Sequence, residues 1–96
     1  MSGYFIVRCE YFDELEYKGY AKLAADAVKE FNGEFLITGK GTQNQKESGT
    51  LPKTVVVKFD SYDDALSCYK SNAYEEALKF IEESSNRDFV IVNGIE

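Results

Sequence analysis

Tyrosine is the residue type in this chain best placed to do chemistry. Tyr17 and Tyr20 stand three apart, as do the two ends of a helical turn, and Tyr69 and Tyr74 flank a break in a second helical stretch. A tyrosine presents a broad apolar ring and one hydroxyl that both donates and accepts, so several around one cleft suit a small aromatic or lipophilic ligand. Packing in a core with the hydroxyls reaching water is the competing use. Arg8 adds a cation beside Tyr4 and Ile6 on alternate positions of a strand, and Glu10, two residues on, is its nearest expected partner. Glu47 lies in a polar loop. Arg8, Tyr17, Tyr20, Glu47, Tyr69 and Tyr74 are therefore the candidate ligand-binding residues, and no catalytic residue is assigned.

Other constellations are weaker. The chain has no histidine, which excludes serine–histidine and cysteine–histidine catalysis and imidazole metal sites. No metal or cofactor is expected. Cys9 and Cys68, far apart, read as buried reduced thiols without a base to activate them. Gly39-Lys40-Gly41-Thr42 lacks the spacing of a phosphate loop and opens no helix, so it reads as a turn. Asp13, Glu14, Glu16, Asp63 and Asp64 cluster at expected helix starts, where carboxylates cap free N–H groups and complement the helix dipole. Glu75, Glu76, Glu82 and Glu83 read as a solvated helix face.

The elements that must position these groups follow from periodicity. Residues 3–12 are aromatic and β-branched and predict a strand. Asp13 with Glu16 predicts a capping box, after which Tyr20, Leu23, Ala24, Ala27, Val28 and Phe31 recur at helical spacing. Asn32-Gly33 ends that helix, with Gly33 expected in the left-handed conformation. Residues 35–38 predict a second strand and 54–59 a third, separated by the polar segment Gly39 to Lys53. Ser61 and Asp64 predict a second helix that carries Ala65, Leu66 and Tyr69 inward. It breaks near Ser71-Asn72, and Asn72 with Glu75 is expected to recap it. Ser84-Ser85-Asn86 reads as the end of that segment and residues 88–93 as the last strand.

The order βαββαβ predicts an α+β ferredoxin-like sandwich: a four-stranded antiparallel sheet with the helices on one face, in a single domain spanning residues 1–96. A sheet covered on one side should alternate apolar and polar residues. Here Tyr4 and Ile6 oppose Phe5, Val7 and Cys9, Val56 stands between Val55 and Val57, and Phe89, Val90, Ile91 and Val92 run together, so both faces are apolar. That excess predicts a homodimer joined through the open sheet face.

Composition narrows the partners. The 96 residues carry 11 Lys+Arg against 17 Asp+Glu, a formal charge of −6, which argues against nucleic acid and anionic membranes as partners. No apolar run is long enough for a membrane span, and the N-terminus lacks a secretory pattern, so a cytoplasmic location is expected.

Several features in order resemble one family. They are Gly3-Tyr4 opening the first strand, Phe35-Leu36 before Gly39, Glu47-Ser48-Gly49, Pro52-Lys53 before Val55-Val56-Val57, Phe59 with Ser61 and Ala65, the Tyr69-x-Ser71-x-x-Tyr74 pattern, and Val92-Asn93-Gly94. Over nearly its whole length the chain resembles a family of short, uncharacterised proteins, a domain-of-unknown-function family in the dimeric α+β barrel superfamily. The resemblance implies the ferredoxin-like fold and a face-to-face dimer. The superfamily includes cofactor-independent monooxygenases and isomerases, and many members without known activity. The family pattern places arginines where this chain has Thr38, Lys53 and Ile81. Thr and Ile do not replace the arginine fork, so anion binding of the family kind would be lost or rebuilt. Three functions remain open: a small-molecule binding module, a monooxygenase- or isomerase-like enzyme, and an assembly protein without a ligand.

Overall fold

The computed structural model describes residues 1–96. Its elements are β1 (Gly3–Tyr11), α1 (Glu14–Glu30), β2 (Glu34–Thr38), β3 (Lys53–Phe59), α2 (Tyr62–Lys70), α3 (Asn72–Leu78) and β4 (Ser85–Asn93). The strands form one antiparallel sheet in the order β2-β3-β1-β4, the ferredoxin-like arrangement. Side chains alternate across β1, and its buried set Phe5, Val7 and Cys9 faces the helices. These join Val57, Phe59, Ala65, Cys68, Tyr74, Ala77 and Ile81 in the core. Ile81 is 2% exposed and a packing residue.

Local chemistry sets the boundaries. Asp13 caps α1 by accepting from the Glu16 N–H at 3.0 Å, and Ser61 caps α2 by accepting from the Asp64 N–H at 3.0 Å. At the end of α1, Asn32 rather than Gly33 takes the left-handed conformation, with φ 58°. Gly33 N–H bonds Val28 O at 2.8 Å and Asn32 N–H bonds Lys29 O at 3.0 Å, a Schellman closure. Gly33 is needed for space instead: a Cβ there would lie 2.6 Å from Val28 Cγ1 and 2.8 Å from the Phe59 ring.

The second helical region divides at Ser71, which replaces Asn72 as the cap of the following segment. The Ser71 hydroxyl donates to Cys68 O at 2.6 Å and accepts from the Tyr74 N–H at 3.2 Å. The Tyr-x-Ser-x-x-Tyr pattern is thus a hinge with one capping serine between two aromatic residues. Ser85 and Asn86 do not break the chain before β4; they already pair with Tyr11 and Glu10 of β1.

The helices differ in how they meet the sheet. α2 lies against β1, β3 and β4, whereas α1 packs chiefly on α3 and stands off the strands. β2 carries a bulge between Phe35 and Ile37, so Phe35 and Thr38 align with inward Val57 and Val55 while Ile37 aligns with outward Val56. On the open face Leu36, Ile37, Val90 and Val92 are exposed.

Candidate functional site

A cavity of about 250 Å³ occupies the space between α1 and the sheet. It exists because α1 turns small residues, Ala21, Ala24 and Ala25 with Val28, toward Val55 and Val57 of β3. Phe5, Val7 and Phe89 complete an apolar wall. Exposed Phe35, Thr38 and Lys40 line the side nearest solvent.

The other end is polar and highly organised. The hydroxyls of buried Tyr20 and Tyr74 lie 2.6 Å apart and share a hydrogen bond. Arg87 Nη2 donates to the Tyr20 hydroxyl at 3.0 Å and to the Tyr74 hydroxyl at 3.4 Å. Its guanidinium carbon sits 5.0 Å from the ring centroids of both Tyr20 and Phe89, within range of cation–π attraction. Arg87 Nε is buried without a partner. Each member comes from a different element: α1 supplies Tyr20, the Ser71 cap sets the start of α3 and so Tyr74, and β4 supplies Arg87. Arg87 pairs across the sheet with Cys9 and so shares the inward face with Phe89 and Ile91.

The tyrosines are neutral at physiological pH. Burial pushes the Tyr20 hydroxyl well above its ordinary value of 10, and neighbouring Tyr74 adds to the rise, outweighing the opposing pull of Arg87. Burial likewise raises Tyr74 and Tyr11. Arg87 keeps its charge, because burial disfavours the cation but the three surrounding tyrosines favour it more. The hydroxyls supply two protons, of which one is spent between them. The second has no acceptor among protein groups and is available to a ligand.

The structure brings together Tyr17, Tyr20 and Tyr74, all of which line this cavity. Tyr69 stands behind them, its ring 5.4 Å from Tyr74 and 5.0 Å from Phe89, and does not line it. Arg8 and Glu47 are elsewhere. Arg8 sits on the outer face of the sheet, where Nη2 donates to Gln45 Oε1 at 2.7 Å and to Leu51 O at 3.5 Å. The expected Glu10 partner makes no ion pair with it; the sole ion pair of the protein joins Lys79 and Glu76. Glu47 is exposed beside Arg8 in a recess lined only by polar and charged residues. Strand parity separates this recess from the tyrosines by the thickness of the sheet.

Arg87, Tyr11, Phe89 and Lys40 line the cavity without having been legible as candidates. The signal for Arg87 was the period of two running back from Ile91 through Phe89. Reading Ser84-Ser85-Asn86 as a break hid it, since that reading started the strand at residue 88 rather than at Ser85 and left Arg87 outside it. Cys9 and Cys68 are both free and buried, and burial, with Glu30 nearby, pushes the Cys68 thiol up to about 12. No group of His, Cys, Asp or Glu side chains could hold a metal ion. No helix is long and apolar enough to cross a membrane.

Residues 2–95 match a family model described as Domain of unknown function (DUF1330). The chain is similar to a protein of unknown function from Rhodopseudomonas palustris, with 9% identity over 99% of this chain and 83% of that one and a TM-score of 0.74. It is similar to a dimeric protein of unknown function and ferredoxin-like fold from Bacteroides fragilis, with 14% identity over 97% and 96% of the two chains and a TM-score of 0.63. It also resembles an antibiotic biosynthesis monooxygenase, with 7% identity over 100% of both chains and a TM-score of 0.54. At these identities the likeness establishes the fold alone. No curated protein matches the chain.

Proposed function

The chain belongs to the DUF1330 family, and from that premise we propose that it binds a small molecule with an apolar or aromatic body in the cavity between α1 and the sheet. The observation that carries this reading is the convergence of Tyr20, Tyr74 and Arg87 at one end of an otherwise apolar cavity. A merely structural cluster would close on itself, whereas this one keeps open space beside a free hydroxyl proton and a guanidinium whose Nη1 makes no hydrogen bond in the protein. That same space disfavours a role in assembly alone. The test is calorimetric titration with a panel of small aromatic compounds against the native protein and Ala24→Leu. A leucine at that buried position adds bulk to the wall that α1 presents to the cavity. Binding that survives Ala24→Leu unchanged would place the ligand elsewhere.

A catalytic reading is second. The likeness to an antibiotic biosynthesis monooxygenase supports it, as does a guanidinium beside a neutral hydroxyl that can polarise a bound carbonyl. Turnover of a bound compound, lost in Tyr20→Phe with binding retained, is its test.

The protein acts as a homodimer in this reading. Exposed Leu36, Ile37, Val90 and Val92 on the open sheet face support it, as does the dimeric Bacteroides relative. Two sheets packed on this face leave the cavity, on the opposite side, accessible. A monomer mass by light scattering at micromolar concentration would refute the dimer. The two free thiols support a cytoplasmic setting, with one domain over the whole chain.

A further inference from the structure

Charge is distributed across the molecule in a way that specifies the ligand further. Acidic residues outnumber basic ones by 17 to 11, yet no carboxylate lines the cavity, while two cations, Arg87 and Lys40, do. Arg87 has no ion-pair partner anywhere in the chain. Its surroundings are two hydroxyls and two aromatic rings, which soften the cost of a half-buried cation but do not neutralise it. The hydroxyls cannot neutralise it by ionising, since burial keeps both tyrosines protonated at neutral pH. A guanidinium held inside a protein normally pairs with an anion, because Coulomb attraction must offset lost hydration.

Resting on the reading that this cavity binds a small molecule, we propose that the ligand is a monoanionic carboxylic acid with an aromatic or compact apolar body, its carboxylate seated on Arg87 and the Tyr20–Tyr74 pair. The donor set fits that head group in number. Arg87 Nη1 makes no hydrogen bond in the protein and offers its N–H, and the spare tyrosine proton offers one more donor, which matches a planar carboxylate accepting at two oxygens. A phosphate monoester carries nearly twice the charge and three acceptor oxygens, which one guanidinium and one hydroxyl do not satisfy. The apolar wall of Phe5, Val55, Val57 and Phe89 takes the body.

The test compares 2-naphthoate with 2-naphthamide, of the same shape but neutral, by calorimetry on the full chain at pH 7. The acid is expected to bind at least about tenfold more tightly than the amide. Arg87→Gln is expected to erase that preference, and Ala24→Leu to weaken both compounds. The acid–amide comparison on the native chain needs no variant to fold. If the two bind equally, the carboxylate proposal is overturned while the cavity reading stands. If neither binds, or if the acid binds Ala24→Leu undiminished, the cavity reading fails and takes the proposal with it.

Discussion

Replacing Tyr20 by Phe isolates the polar end of the cavity. The ring stays and no void opens, so the loss is confined to one hydroxyl at a position 8% exposed. That hydroxyl shares a 2.6 Å bond with Tyr74 and accepts from Arg87 at 3.0 Å. A neutral buried hydrogen bond contributes about 1 kcal/mol net, and one to a charged donor somewhat more. Because the hydroxyl's own desolvation is relieved at the same time, the expected cost is about 2 kcal/mol. Tyr74→Phe removes the same shared bond but only a 3.4 Å contact from Arg87, so its expected cost is about 1 kcal/mol. Urea unfolding of ligand-free protein at pH 7 is the assay. With a slope of about 2 kcal/mol per molar, Tyr20→Phe should lower the midpoint by about 1 M and Tyr74→Phe by about half that. Equal midpoints for the two variants, or a larger loss for Tyr74→Phe, would refute the assignment of Tyr20 as the main acceptor of Arg87.

Three further outcomes are expected. Tyr20, Tyr74 and Cys68 have folded-state pKa values raised above their ordinary 10, 10 and 9, so the folded state holds protons that the unfolded chain releases. Their stabilising contribution is complete below about pH 9 and is lost as pH rises; Cys68→Ala should flatten the decline between about pH 9 and 12, and unchanged alkaline unfolding would contradict this. Gly33→Ala should destabilise by about 1–3 kcal/mol in calorimetry, because its Cβ must displace the Val28 side chain or the rigid Phe59 ring; a neutral effect would mean that the α1–β2 turn can move. Ser71→Ala should cost about 1 kcal/mol and weaken ligand binding along with it, since this cap sets the start of the helix that carries Tyr74; intact binding would uncouple the cap from the site.

The elements were legible in the sequence because their signals are local. A capping side chain three residues from its N–H partner, as at Asp13 and Ser61, is a property of four consecutive residues. So is the period of two that sends Phe5, Val7 and Cys9 to one side of β1. From these the order of elements and the ferredoxin-like arrangement follow by connection rules. The misreadings are also local. Asn32 took the left-handed position because Asn tolerates it, and Gly33 was required by contacts with Val28 and Phe59 that no local rule contains.

The site is a different kind of object. Tyr20 and Tyr74 are separated by 54 positions and Tyr20 and Arg87 by 67, so their 2.6 Å and 3.0 Å contacts exist only once three elements are packed. Tyrosine type and helical spacing marked Tyr17, Tyr20 and Tyr74 as candidates. They could not tell that Tyr69 faces the rear, that Arg8 and Glu47 lie beyond the sheet, or that Arg87 completes the cluster. Nor could they show that α1 stands off the strands, since that gap depends on how alanines at positions 21, 24 and 25 oppose valines of β3. The sequence alone determined which faces are apolar, because periodicity is written along the chain. Only the tertiary structure decided where those faces fail to meet, because a cavity is set by distances between segments remote in sequence.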